Sequence, residues 1–383
     1  MTILYILLAI VILLVMVLIH EFGHYCVGRM LNFKITEFSV GFGKAIFSRK
    51  NKRGEQISLR IFPLGGYCAF AGEDETNEND KDAFTNQKPW KRILVFLAGI
   101  TFNFAFAVLT SLILLCTVGY DIPQVKSVML DTSQITNYVP DSLATNVQDG
   151  FGLQEGDVIL AINGKKIDFA YGWTYNDLAN EQIANLQAYL KEVRDQSGDE
   201  GAAFESFPTA TASIRRNGQN MEVQLGFYQV QVQNPETGEI TYSYYWSVSA
   251  GAYVHTFVEA LERCVPFAFG LAWSVLKSLW LLITFQLPIS SIGGPITTIA
   301  TIAQVTQANF ANILILIPLI SANLAIFNAL PIPALDGSHV LFTTIEAIRK
   351  KPIKRETENM IHTVGLFVLL GLVILIDILH FLL

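Results

Sequence analysis

Charge is what this chain has least of. Only 15% of its 383 residues are Asp, Glu, Lys or Arg, against about a quarter in ordinary soluble domains. The deficit is local. Residues 1–19, 93–118 and 313–335 carry no charge, and 361–383 carries only His362, Asp377 and His380 as titratable groups. At 1.5 Å per residue, each run is long enough to approach or cross a hydrocarbon core of about 30 Å, so we expect about four transmembrane helices. A fifth stretch, 267–285, holds Lys277 and is flanked by Pro266 and Pro288, and we read it as interfacial or partly inserted. Cysteine is scarce as well. Cys26, Cys68, Cys116 and Cys264 form no CxxC pair, and no disulfide framework is implied. No basic residue precedes Arg29 and no small-x-small site follows the first apolar run, which argues for a retained span rather than a cleaved signal peptide. Residues 121 to about 262 hold nineteen acids against seven bases, which argues against nucleic acid as a partner.

The few basic residues there are mark the sides of the membrane. Of 26, twelve lie between Arg29 and Arg92 and five between Arg349 and Arg355. The positive-inside rule puts both clusters in the cytoplasm, which leaves both chain ends and residues 121 to about 262 outside. Residues 35–47 and 56–62 alternate as strands around Gly41-Phe42-Gly43 and are followed by an acidic loop, Glu73 to Asp82. They fit either a small sheet tucked against the membrane, whose edge would suit an extended peptide, or an ordinary cytoplasmic hairpin. Farther on, Leu153 to Gly164 reads as turn, buried strand and Asn-Gly turn, 180–193 as a helix, and 212–227 as a hairpin around Asn217-Gly218. The expected organisation is a membrane core in two parts, residues 1–120 and 251–383, with an extracytoplasmic α+β domain at 121–250 inserted between them.

His20-Glu21-Phe22-Gly23-His24 ends the first apolar run. On a helix, two imidazoles four apart share one face with a carboxylate beside them, the H-E-x-x-H arrangement of zinc hydrolases. Titratable groups are costly at membrane depth, which makes a site there more telling than in a soluble chain. A hydrolytic zinc keeps one position open and needs a third protein ligand. Asp336 is the best candidate, because Pro331 and Pro333 unwind the chain before it and Gly337 permits a turn after it. Asp377 and His339 are alternatives. Glu21 suits a general base. Asn323 and Asn328 are polar groups in an apolar run, suited to hold a substrate backbone or an oxyanion, or to join helices.

These residues resemble the bacterial site-2 proteases, intramembrane zinc metalloproteases of the type with an extracytoplasmic PDZ domain. HEFGH matches the family's HExxH, and Asn328 to Gly337 matches N-x-x-P-x-P-x-L-D-G, which makes Asp336 the third ligand. Phe38 to Lys44 resembles the reentrant β-loop that holds substrate extended, through Gly41, Phe42 and Gly43. Gly99 and Asn103 fit G-x-x-x-N, Gly294-Pro295 a Gly-Pro element, and Gly152 to Gly164 a PDZ-like pattern. The resemblance implies one zinc ion per chain, a multi-pass protein of the bacterial inner membrane, and a centre near the cytoplasmic side. It also implies regulated intramembrane proteolysis of single-span membrane proteins such as anti-sigma factors or remnant signal peptides, with peptide C-termini as ligands of the PDZ-like domain. A PDZ-bearing scaffold and a zinc transporter are the competing readings.

Overall fold

The computed structural model describes residues 2–73, 80, 82–127, 153–171, 177, 178, 181, 184, 188, 210–225, 227–233, 237, 238, 240–246, 249–286, 293–351 and 353–382. The chain divides into two compact units, Met1–Ile113 with Leu271–Leu383, and Leu114–Gly270.

The first unit is built on long apolar helices. α1 (Thr2–Met30) is apolar all round, which suits a helix facing lipid rather than water. Its Ala9, Ile12 and Met16 are buried with Ile302 and Ile313. α2 (Pro89–Thr117) opens on proline, whose missing N–H is no loss in a first turn. From Leu271 on, α3 (Phe257–Ile283), which has Pro266 inside it, belongs to this unit as well. Then come α4 (Pro295–Ala308), α5 (Ile313–Ala329), α6 (Asp336–Arg349) and α7 (Arg355–Leu382).

Among the described residues, five helical stretches are long and apolar enough to cross a membrane: Ile3–Met30, Pro89–Thr117, Phe257–Ile283, Phe310–Ala329 and Glu356–Ile378. The sequence reads as about four spans, with 267–285 interfacial or partly inserted. The helix instead begins ten residues earlier, at Phe257, with Pro266 inside it, so its length alone permits a crossing.

Between α1 and α2 lie β1 (Ile35–Lys50) and β2 (Gln56–Phe70), paired as one two-stranded sheet. Both strands bend. β1 turns at Gly41 and Gly43, with φ of 84° and 86°, and β2 at Gly65, with φ of 124°. Because of the bends Phe38 meets β2 twice, at Cys68 and at Ile57. Only glycine takes such dihedrals without strain, so the GFG sequence is written by the fold. Phe33, Ile35, Phe70 and Phe84 pack with Val95 and Phe96 and pin this sheet to the start of α2. The Glu37 carboxyl ties the sheet's polar face together. Burial pushes its pKa up, but hydrogen bonds from Ser58, Arg60 and Tyr67 outweigh that and hold it below the usual range.

The second unit is a twisted sheet. β3 (Pro123–Ser127), β4 (Val158–Ile162), β6 (Ala210–Arg216), β7 (Gln219–Leu225) and β10 (Ser249–Ala252) lie in the order β10-β3-β4-β6-β7, with β5 (Lys165–Lys166) paired to β4. β8 (Phe227–Gln233) and β9 (Ile240–Trp246) pair separately. Asn163-Gly164 and Asn217-Gly218 form the two tight turns, all four residues at positive φ, as two-residue hairpins of the type I′ class require. Val125, Ile159, Ile162, Ala212 and Ile214 form the core with Leu153, Ile167 and Leu178. Most of the helix expected over 180–193, and Gly152 at the head of the PDZ-like pattern, lie outside the described residues.

Candidate metal centre

α1 delivers His20 and His24 one turn apart, both only 8% exposed, with their Nε2 atoms 3.2 Å from each other. From the far end of the chain, Asp336 at the start of α6 brings its Oδ2 to 2.9 Å from His20 Nε2 and 3.4 Å from His24 Nε2. The stretch between α5 and α6 makes this reach possible. Ala334 stands at φ 76°, a left-handed conformation that costs a residue with a Cβ about 1–2 kcal/mol. A Cβ on Gly337 would overlap the carbonyl oxygens of Ala329 and Leu330, so Asp336 must be followed by glycine.

The tautomers follow from what lies behind the rings. His24 Nδ1 donates to the Val95 carbonyl at 2.8 Å, which leaves a lone pair on its Nε2. His20 Nδ1 lies 3.4 Å from the Asn103 amide nitrogen, while Asn103 Oδ1 is buried with no partner. With that amide turned by 180°, Oδ1 accepts from His20 Nδ1–H. His20 Nε2 is thereby freed as a lone pair too. Asp336 Oδ2 is itself buried without a donor. Three lone-pair atoms thus converge on one point, an arrangement that repels unless a cation sits between them. Ligands about 2.0–2.1 Å from a tetrahedral zinc would be about 3.3 Å apart, close to the three separations observed. These residues fit zinc.

Gly99 makes room for the site. A Cβ there would come within 2.5 Å of His20 Cε1 and 2.6 Å of His24 Nε2. Gly99 and Asn103 therefore act together, one admitting the imidazoles against α2 and the other bonding His20.

A cavity of about 250 Å³ opens beside the cluster, lined by Val17, His20, Glu21, Asn103, Asn328 and Asp336 among others. At about 30 Å³ per water, it holds several waters or a short stretch of peptide. Glu21 lines this space and also borders β2, where a Cβ on Gly66 would lie 3.6 Å from its Cγ.

The expected site residues therefore separate. His20, Glu21, His24 and Asp336 come together, and Asn328 lines the cavity. Asn323 does not, because five residues on a helix are about 140° apart around the axis. Gly41, Phe42 and Gly43 form the bend in β1, with Phe42 46% exposed and stacked on Tyr67. Asp377, an alternative ligand in the sequence, is engaged elsewhere. It accepts from Ile296 N and Thr297 N, each at 3.1 Å, and from Thr297 Oγ1 at 2.7 Å, and so caps α4 from α7. Gly294 is required there, since its Cβ would touch the Asp377 carboxyl at 2.5 Å. His339, the other alternative, stacks on His362 instead. The residues that sequence reasoning left without a role at the centre are Gly99, Asn103 and Gly66. For the first two the spacing G-x-x-x-N was the available signal.

Residues 8–372 match the profile of peptidase family M50. A protein of Rickettsia conorii named as a zinc metalloprotease is 27% identical, with 94% of each chain covered. One of Campylobacter jejuni with the same description is 29% identical over 94% of this chain and 88% of the relative. The regulator of sigma E protease of Haemophilus influenzae is 25% identical over 94% of each.

Proposed function

Since the chain belongs to peptidase family M50 and is a membrane zinc metalloprotease, we propose that it cleaves single-span membrane proteins within or near their transmembrane segments. The observation that carries this reading is the convergence of His20, His24 and Asp336 beside Glu21, on helices apolar enough to span a bilayer.

Zinc held there would polarise a scissile carbonyl and lower the pKa of water from about 16 towards about 7. Glu21, in the same cavity, takes a proton from the attacking water and returns it to the departing amine. Asn103 and the Val95 carbonyl hold both imidazoles in the tautomer that the ion needs. Asn328, at the cavity wall, is placed to bond the substrate backbone or the developing oxyanion. The bent sheet supplies the other requirement of amide hydrolysis in a membrane, an unwound substrate. Gly41, Phe42 and Gly43 form a bend that exposes Phe42 and Gly43 while Gly41 is buried, and Gly66 brings β2 beside Glu21.

Three further readings belong to this proposal. One zinc binds per chain. The Lys/Arg clusters at 29–92 and 349–355 support a centre towards the cytoplasm of a bacterial inner membrane, with the chain ends and residues 121–250 outside. The outer unit is PDZ-like and binds peptide C-termini, a reading supported by its antiparallel sheet and the Asn163-Gly164 turn. Anti-sigma factors and remnant signal peptides have the required single-span form. The test is cleavage of a purified single-span substrate by wild type and Glu21→Gln, with zinc content measured on both. We expect the variant to keep its zinc and lose about 10²–10⁴ in rate. Equal rates at equal zinc would overturn the mechanism.

A further inference from the structure

The stretch that carries Asp336 is held by a residue outside the centre. Ala334 N donates to His362 Nδ1 at 3.0 Å, across 28 residues of sequence. Its positive φ of 76° is a conformation the stretch would leave if nothing retained it. His362 is itself well fixed. Its ring stacks on His339 at 4.0 Å and 8°, and His339 stacks on Phe96 at 4.9 Å. Phe342 meets the His362 ring edge-on. Three residues along α7, Gly365 lies so close to Pro333 that a Cβ would overlap it, which brings the α7 backbone down onto the same stretch.

His339, Glu358 and His362 also stand close enough to suggest a second metal site. The ring planes of the two histidines are nearly parallel, so their in-plane lone pairs do not converge, and His362 Nδ1 already accepts a backbone proton. The trio is better explained as a support.

We propose that His362 is a positioning residue for the metal centre: by accepting the Ala334 N–H it holds the left-handed turn that places Asp336 opposite His20 and His24. This rests on the reading of Asp336 as the third zinc ligand. Because Nδ1 accepts, the ring proton is on Nε2. Asn in place of His362 puts its Oδ1 close to the position of Nδ1, whereas Phe keeps the ring stack and removes the acceptor.

Full-length protein is titrated with zinc against a competing chelator, and cleavage is followed in parallel. His362→Phe should weaken zinc binding by about 10–100-fold, as the loss of groups behind a metal ligand generally does, and lower kcat with little change in KM. His362→Asn should restore most of the affinity. Ala334→Gly in the Phe background should restore part of it, since glycine takes a positive φ freely. Wild-type zinc affinity in His362→Phe, or an Asn variant no better than the Phe variant, would overturn the proposal. If the Phe variant does not fold, His362→Gln serves, since its oxygen reaches past the Nδ1 position; it too should bind zinc less tightly than His362→Asn, and equal wild-type binding by both refutes the role. Asp336→Asn separates the two readings. If it keeps zinc, the assignment of the centre fails; if it loses zinc while His362→Phe does not, only the role of His362 fails.

Discussion

Two carboxylates, one in each unit, each bury an oxygen and answer the same physical problem in opposite ways. Asp121, in the Leu114–Gly270 unit, is 3% exposed and meets donors at both oxygens, His255 Nε2 at 2.7 Å and Arg263 Nε at 2.6 Å. Arg263 also bonds Asp168. Asp336, in the other unit, faces two ring nitrogens whose protons are engaged elsewhere. The first cluster is closed, every charge answered by another side chain. The second is a set of acceptors awaiting a cation. A buried carboxylate among cationic donors holds a fold together, and one among lone pairs binds a metal.

Substitutions can break this contrast, starting with the strongest. Asp336→Ala should abolish zinc binding and reduce cleavage to background, while the Leu114–Gly270 unit resists proteolysis as in wild type. Metal analysis and limited proteolysis on one preparation check both halves. Asp121→Ala should do the reverse. It leaves Arg263 with Asp168 alone and His255 without its carboxylate, and removing one member of a buried pair costs about 3–5 kcal/mol, read as earlier proteolysis of that unit at unchanged zinc affinity.

The pH dependence of that unit has a fixed sign. Burial pushes the Asp121 carboxyl up, but the His255 bond and the Arg263 charge outweigh it and hold its pKa below the ordinary value of about 3.9. The group's contribution to stability is therefore complete above that ordinary value and is lost as pH falls through the lower folded one. Asp121→Asn should remove this loss in acid unfolding curves of the full chain. A smaller effect is expected at Gly99→Ala. The added methyl crowds both imidazoles, and overpacking of about 1–3 kcal/mol should emerge as roughly tenfold weaker zinc binding. The smallest effect belongs to Lys165 and Glu181, a pair at 2.5 Å with side chains 43% and 37% exposed. Glu181→Gln should change stability by less than about 1 kcal/mol, because water screens the pair.

How far the sequence could be read depended on whether a feature was local. His20, Glu21 and His24 declare themselves by helical spacing, and Asn217-Gly218 by turn chemistry. Asp336 was legible because prolines and a glycine surround it at fixed offsets. Gly99 was visible only as a pattern; its reason, the imidazoles of another helix, lies 79 residues away. The bond from Ala334 to His362 and the cap of α4 by Asp377 have no local signature at all. They pair residues 28 and about 80 apart, and the Asp377 carboxylate in an apolar run looks from sequence much like a ligand. The helix that includes 267–283 starts at Phe257, upstream of Pro266, a residue that reads as a boundary in the sequence. A proline inside a membrane helix is tolerated when neighbouring groups satisfy the freed carbonyl.

The cap on α4 also sets an order in time. A ribosome makes Ile296 and Thr297 some eighty residues before Asp377, so these amides are made before the carboxylate that accepts from them. Only when the last helix arrives does the carboxylate close over them past Gly294. A nascent chain halted before residue 377 holds His20, His24 and Asp336 but lacks the latch on α4.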